Sequence, residues 1–328
     1  MIYKLIKILS DGQFHSGEDV GKQLGVTRAA VWKAVQKLPA LGLQYDSVTG
    51  KGYRIPAGVD LLDKEAIEAH LSDEAKPLFS GLEVFDVLGS TNDLVADRVK
   101  SSDTSGGHTG FFCLAEQQTA GRGRRGKEWV SPYAKNIYLS FAWQFERGIA
   151  AIEGLSLAVG LGVANALDQC QVPGVELKWP NDLLVSGNKL GGILIEMTGD
   201  LEGACQVVIG VGVNVSMTEA QGQSIDQAWQ SISSLNAVAA SDRNKLVGSV
   251  MSELLLTLSR FESEGFAAYR DQWQEKDYFL NKPVTLMIAE NPIQGIARGI
   301  AENGALRLEV DGQIKEFSGG EISLRARA

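Results

Sequence analysis

Only three cysteines and three histidines occur in this chain of 328 residues. Cys113, Cys170 and Cys205 lie far apart in apolar surroundings. That spacing suits neither a disulfide framework nor a thiolate metal site, and core thiols kept reduced point to the cytoplasm. His15, His70 and His108 are scattered, and no plausible nucleophile dyad stands out. No stretch approaches the roughly 20 uninterrupted apolar residues of a membrane span. The opening segment, Met1 to Lys7, has apolar residues at helical spacing and no small-residue cleavage site, so it does not read as an export signal. Internal repeats and low-complexity tracts are also missing. What remains is a 44% hydrophobic chain, long enough for two or three domains and a generous core.

Basic charge is scarce overall but unevenly placed. The net charge is -9, yet residues 1–56 hold eight Lys/Arg against four acids, or +4, leaving -13 for the rest. A basic head on an acidic body suggests that the head meets a polyanion and the body does not.

In the head, Ile2, Leu5, Ile6 and Leu9 form the stripe of an amphipathic helix that Asp11-Gly12 ends. Ser16 and Asp19 have capping-box spacing, although the box prefers Glu or Gln at the second position. Gly25-Val26 makes a tight turn, and Thr27 caps a third helix reaching to about Leu38, limited by Pro39. Val31, Val35 and Leu38 face inward; Arg28, Lys33, Gln36 and Lys37 stay outside. This is helix-turn-helix spacing. Residues 44–48 and 52–55 then flank Thr49-Gly50-Lys51, a hairpin with a lysine at its tip. The combination resembles a winged-helix DNA-binding domain, with Thr27, Arg28, Lys33, Gln36, Lys37 and Lys51 as DNA contacts. A small protein-interaction module with a solvated basic face is the alternative. Pro56 to Asp60 reads as a linker or hinge.

The body mixes strands with helices. Leu82 to Leu88 alternates like a strand and runs into Ser90-Thr91-Asn92, which either caps the following helix or holds a polar ligand. A buried strand, Phe111 to Ala115, leads through Gln118 into Gly121-Arg122-Gly123-Arg124-Arg125-Gly126. Glycines let backbone approach a ligand, and guanidiniums are fixed forks for carboxylate or phosphate, so a mobile loop closing over an anion is expected. The string matches a dinucleotide-binding fingerprint, but Trp129-Val130-Ser131-Pro132 follows where that fold needs a helix. A strand at 136–143 and an apolar helix at about 152–167 come next. Lys178-Trp179-Pro180-Asn181-Asp182 then stops a further strand abruptly. Lys189 opens an apolar strand, where its ammonium must reach an anion or snorkel to water. Gly210 and Gly212 strip one face of another strand, for a flat ligand or for close helix packing.

These motifs together resemble the bifunctional biotin protein ligases, which also serve as repressors of the biotin operon. Ser90-Thr91-Asn92, Gln118 to Gly126, Lys178 to Asp182 and Lys189 to Leu194 match in order and spacing, and the head and Gly319 to Arg325 extend the likeness. The resemblance implies an α+β chain: a winged helix at 1–60, a mixed α/β ligase domain like class II synthetases at 64–275, and an SH3-like β-barrel at 276–328. It implies that biotin's carboxylate attacks the α-phosphorus of Mg-ATP, giving biotinyl-5'-AMP. A lysine of the biotin carboxyl carrier protein of acetyl-CoA carboxylase then takes the biotinyl group.

By motif position, Ser90, Thr91, Asn92, Gln118 and the backbone at Arg122, Gly123 and Arg124 would hold biotin over Gly210 and Gly212. Lys189 and Arg124 would carry the catalytic charge. Arg124, Arg125, Trp129, Lys178, Asn181, Asn214 and Arg325 would meet ATP or the adenylate, and Asp182 a magnesium ion. A carboxylate attacking a polyphosphate needs its repulsion cancelled by fixed cations and no general base, which suits a chain poor in histidine. The resemblance further implies an adenylate-bound homodimer on operator DNA, with the adenylate as corepressor and no membrane partner. A lipoate-type ligase is the first alternative, against which the arginine loop and winged helix argue. A non-enzymatic, ligand-sensing transcription factor is the second, against which Arg124 and Lys189 stand. The tail alternates from Val284 to Phe317, with turns at Glu290-Asn291 and Asp311-Gly312, as a small all-β unit does.

Overall fold

The structure, a computed structural model, describes residues 1–101, 109–146, 152–198, 205–288, 291–318 and 322–326. Its head comprises α1 (Ile2–Leu9), α2 (Gly17–Leu24) and α3 (Arg28–Val35), followed by the hairpin β1 (Asp46–Val48) and β2 (Gly52–Arg54). The caps read from the sequence form: Ser16 Oγ accepts from Asp19 N–H at 3.0 Å, and Thr27 Oγ1 from Ala30 N–H at 3.2 Å. The Asp19 carboxylate accepts from the Ser16 hydroxyl at 2.7 Å, so the expected reciprocal box is not completed. α3 ends at Val35, three residues short of the expected Leu38. Pro39 has no N–H to donate to the Val35 carbonyl and its ring crowds that oxygen, so the chain tightens into a 3-10 turn at Leu38–Leu41.

The segment expected to be a linker is fastened down. Val59 N–H donates to Ser10 O at 2.9 Å, and Gly58, at φ 66°, leaves no room for a Cβ against that same carbonyl. Asp60 is gripped by Arg243, whose N–H donates to the carboxylate at 2.8 Å and whose Nε donates to the carbonyl at 3.1 Å. Tyr3 stacks on Tyr133 with centroids 5.8 Å apart, so the head shares a small core with the body.

The body contains α4 (Lys64–Ala69), β3 (Gly81–Phe85), α5 (Thr91–Ser101), β4 (Phe111–Ala115) and β5 (Ile137–Phe145). Then come α6 (Leu155–Gln169), β6 (Val175–Lys178), β7 (Asp182–Val185), β8 (Asn188–Thr198) and β9 (Cys205–Val213). The short α7 (Ile232–Leu235) and α8 (Ala237–Ala240) precede the long α9 (Arg243–Glu264) and α10 (Arg270–Glu275). Seven strands form one mixed sheet in the order β3-β4-β5-β9-β8-β7-β6, parallel only between β3 and β4. Period-two alternation divides the sheet. Leu139, Phe141, Ile209 and Val211 join α6 and α9 in the main core, while Ala142 and Val208 pack beneath α5. Ser140, Gly210 and Gly212 share that second face, which α5 covers only in part, and the uncovered part is the cleft described below.

The tail is a five-stranded antiparallel sheet: β10 (Pro283–Ile288), β11 (Asn291–Ile300), β12 (Leu306–Val310), β13 (Gln313–Phe317) and β14 (Ile322–Ala326). β14, unread from alternation, pairs with β10 at one edge. Asp311 and Gly312, at φ 52° and 77°, make the expected hairpin turn. Glu290 of the other expected turn lies outside the described residues. Trp179 Nε1 donates to Gly304 O at 3.1 Å, which joins the turn after β6 to the tail.

Candidate functional site

The cleft is a cavity of about 230 Å³ between the start of α5, the arginine loop and the ends of β7 and β8. Ser90, Thr91, Asn92, Gln118, Gly123, Arg124, Arg125, Lys178, Asn181, Lys189, Gly210 and Gly212, all singled out above, line it together. Gly210 and Gly212 are required by what already lies on them. A Cβ at Gly210 would collide with Asn92 Oδ1, and one at Gly212 would sit 2.5 Å from the Trp129 ring. The flat group against the glycine strip is thus Trp129 itself.

At the closed end, Asn92 Oδ1, Ser140 Oγ, Thr91 Oγ1 and Gln118 Oε1 form a chain with contacts of 2.5, 2.7 and 3.0 Å. Both amides are fixed in orientation. Asn92 Nδ2 donates to Glu196 at 2.7 Å, and Thr91 N–H donates to Gln118 Oε1 at 2.9 Å. Only the two hydroxyls can bring protons to three oxygen–oxygen contacts, so one contact lacks a hydrogen. Ser90 Oγ accepts from Asp93 N–H at 3.4 Å, so the hydroxyl is a weak helix cap and keeps its own proton. Ser90, Thr91 and Asn92 therefore both start the helix and line the cleft, and the two readings of that motif coexist.

At the other end the cations are matched by the protein. Lys189 Nζ lies 2.6 Å from Asp182 Oδ1, and Lys178 Nζ 3.6 Å from Asp182 Oδ2, all three largely buried. Lys189 thus reaches an anion, and its ammonium also stands 5.5 Å from the centroid of Trp129. Arg124 donates to Asn181 Oδ1 at 3.0 Å, and Asn181 Nδ2 donates to Ile193 O at 2.9 Å. Burial, and then its neighbour Arg125, lower the Arg124 pKa. Trp129 Nε1 is buried over Gly212 without an acceptor among the described residues.

Arg122 differs from the other loop arginines. It bridges Asp93 at 2.7 Å and Glu196 at 3.0 Å, so its side chain anchors the loop. The Gly123 N–H is engaged by Lys127 O at 2.7 Å and is not offered to a ligand. Asn214 lies in a second cavity of about 210 Å³, beyond Trp129 and Lys189, and donates to the Lys189 and Gln230 carbonyls. The side chain of Arg325 lies outside the described residues; its backbone is in β14. For Asp182 as a metal ligand the surroundings do not fit. One carboxylate faces two ammonium groups, and no cluster of three His, Cys, Asp or Glu occurs among the described residues. On the head, Thr27, Arg28, Lys33, Gln36, Lys37 and Lys51 are all exposed, and so is Trp32, at 49%.

Sequence reasoning missed Ser140, Glu196 and Trp229. Ser140 is a hydroxyl between Leu139 and Phe141, and Glu196 a charge between Ile195 and Met197, so each breaks an apolar strand visibly. Trp229, which lines the second cavity, is a lone aromatic in the polar stretch 218–231.

Comparison with known proteins gives the following. Residues 84–214 match the model of the biotin/lipoate A/B protein ligase family, residues 279–325 a biotin protein ligase C-terminal domain, and residues 2–54 an HTH domain. The bifunctional ligase/repressor BirA of Salmonella typhimurium is 42% identical over 322 residues, covering 98% of this chain and 97% of its own. That of Escherichia coli is 43% identical over 326 residues with the same coverage. A biotin protein ligase from Aquifex aeolicus, solved with biotin and ATP, superposes with a TM-score of 0.63 at 28% identity. It covers 76% of this chain and 100% of its own.

Proposed function

The chain belongs to the family of bifunctional biotin protein ligases and repressors, an α+β ligase with a DNA-binding head, and from that premise we propose how its residues divide the work. The acceptor-rich closed end carries the reading. An oxygen chain short of one hydrogen asks for a ligand with N–H donors, and the cyclic urea of biotin brings two. The dithiolane of lipoate brings none, which argues against the lipoate alternative. Ser90 supplies the complementary proton to the urea oxygen.

The valeryl carboxylate then points toward Lys189 and Arg124. It is already ionised at neutral pH, so no general base is needed. Its oxygen attacks the α-phosphorus of ATP; a P–O bond forms, the bond to the β-phosphate oxygen breaks, and pyrophosphate leaves. Lys189, Arg124 and Lys178 offset the charge that accumulates, while Asp182 holds Lys189 in place until phosphate oxygens compete for it. The purine lodges between Trp129 and Trp229, with Asn214 and Gln227 at its edge. Arg125 and Asn181 border the phosphates, and Arg325 keeps the adenylate role that the resemblance gives it. Magnesium enters with the nucleotide.

In the second step a carrier-protein lysine attacks the acyl carbon of the mixed anhydride; an amide forms and AMP departs. Biotinyl-5'-AMP also favours a homodimer, whose two heads read an operator through Arg28, Lys33, Gln36, Lys37 and Lys51. The protein works in the cytoplasm, in keeping with three buried free thiols. One assay tests the ligase reading: the protein is incubated with ATP, an apo carrier domain, and biotin or lipoate. A biotinyl mass shift is expected and a lipoyl shift would overturn it. Sedimentation with and without biotinyl-5'-AMP tests the switch separately.

A further inference from the structure

Glu196 lies on β8, two residues beyond Leu194, whose pairing with Gly210 floors the cleft, and three independent contacts converge on its carboxylate or its partner. Asn92 Nδ2 donates to Oε2 at 2.7 Å. Arg122 Nη2 donates to both carboxylate oxygens at 3.0 Å. The same guanidinium reaches Asp93 on α5 at 2.7 Å. One side chain therefore joins the start of α5, the arginine loop and β8.

We infer that Glu196 is a positioning residue that sets biotin selectivity by fixing the Asn92 amide, and sets adenylate retention by pinning the arginine loop through Arg122. A carboxylate accepts only, so it holds the NH2 of Asn92 toward itself and turns Oδ1 into the cleft. Asn92 is 5% exposed and Gly210 closes the space behind its oxygen, so the amide has no third orientation. With the amide reversed, its NH2 would face Ser140, and the closed end would gain a donor and lose its demand for ligand N–H groups. The Arg122 bridge is different in kind. Its three charges are roughly 40–50% exposed before ligand covers them, so it restrains the loop weakly and by charge. The two roles thus separate chemically, one needing an acceptor and the other a negative charge.

The inference rests on the biotin reading above, and two substitutions divide it. Glu196→Gln keeps an acceptor for Asn92 but loses the charge; Glu196→Ala loses both. Biotin titrated into the full-length protein by calorimetry should show Kd raised at least ~10-fold in Glu196→Ala and less than ~3-fold in Glu196→Gln, the span of one charge-assisted hydrogen bond. Chase of bound biotinyl-5'-AMP should show an off-rate ~3–10-fold faster in both, since the bridge is exposed. Asp93→Asn, which removes the other partner of Arg122, should speed the off-rate and move Kd less than Glu196→Ala. Equal Kd values for the Gln and Ala variants, or a Glu196→Gln off-rate equal to wild type, would overturn the inference. If Glu196→Ala does not fold, Glu196→Leu, of similar size and without an acceptor, takes its place in the Kd comparison, while the off-rate of Glu196→Gln tests the loop role. Failure of the wild-type protein to bind biotin would instead sink the reading beneath it.

Discussion

The exposed cations around α3 and the hairpin tip and the buried cations of the body are arranged in opposite ways. Arg28, Lys33, Lys37 and Lys51 are exposed, and none has a carboxylate within ion-pair distance among the described residues. In the body, Lys189 is held by Asp182, Arg122 by Asp93 and Glu196, and the 1%-exposed Arg243 by Glu116 at 2.7 Å. The difference follows from solvent. Exposed ammonium groups are stabilised by water, and they release counterions when a polyanion arrives. A buried ammonium without a partner would lose its charge, so the cleft keeps internal carboxylates that a ligand must replace. One arrangement suits reversible association with any phosphate backbone; the other suits a defined anion at a defined place.

Lys189 is where the loss of a buried cation should cost most. On the proposed mechanism, removing it takes away a charge that acts on the phosphoryl transition state and leaves Asp182 without its 2.6 Å partner. Adenylation by Lys189→Ala, measured as pyrophosphate release, should fall by at least ~10²-fold. A rate near wild type would mean that the buried pair is structural and that Arg124 carries the charge alone.

Arg124 sharpens the same contrast on a smaller scale. It donates to the Asn181 amide oxygen at 3.0 Å, and burial, followed by the neighbouring Arg125, lowers its pKa, so an arriving anion meets a half-buried guanidinium. Its loss should act on the bound anion more than on the fold. Arg124→Ala should release biotinyl-5'-AMP about 10-fold faster, one charged hydrogen bond's worth, with an unchanged melting temperature. An unchanged off-rate would remove Arg124 from the ligand.

Much of this was legible in the sequence, and what was not has a common cause. The Ser16 and Thr27 caps and the Asp311-Gly312 turn depend on residues three or fewer positions apart, and they formed where expected. Lys178 to Asp182 and Lys189 announced themselves because charge in or beside an apolar strand needs a reason. Glu196 meets Asn92 across 104 residues, and Arg243 meets Asp60 across 183. Those contacts depend on which strands are neighbours, β5-β9-β8 here, and on how α9 lies against the linker. Hence the segment read as a hinge is locked by a distant arginine, and the loop arginine nearest Gln118 turned out to be an anchor. The end of α3 was misplaced for a local reason, since Pro39 cannot bond or clear the carbonyl of Val35, four residues back, and so ends the helix there.

A carboxylate without a cation tests the converse case. Asp277, between α10 and β10, has no Lys or Arg within ion-pair distance among the described residues, and burial pushes its pKa from 3.8 up to about 6. The unfolded chain ionises this group first as pH rises, so the stability it contributes is full below about pH 4 and is lost through about pH 6. Asp277→Asn can still accept from Phe279 N–H, as the carboxylate does at 2.9 Å. The variant should be more stable than wild type at pH 7.5 by on the order of 1–2 kcal/mol, discounted because the group is partly solvated. The advantage should vanish below about pH 4 in denaturant titrations. A constant advantage at every pH would assign the effect to packing.

The smallest effect belongs to the head, where each cation is one of several. Lys33, on the exposed face of α3, can lose its charge without disturbing the core that Val31, Ala34 and Val35 build. Binding of the adenylate-saturated protein to random-sequence duplex DNA should weaken only a few-fold in Lys33→Ala at moderate salt. Its log–log salt slope should drop by about 0.9 per head, one phosphate contact fewer. Lys64, exposed on the body but 3.8 Å from Glu68, is the matched control: charge is lost there too, yet from a pair. Lys64→Ala should leave the slope where it was. Equal slopes for the two variants would mean that DNA senses net charge alone, and that the unpaired face of α3 holds no privileged position.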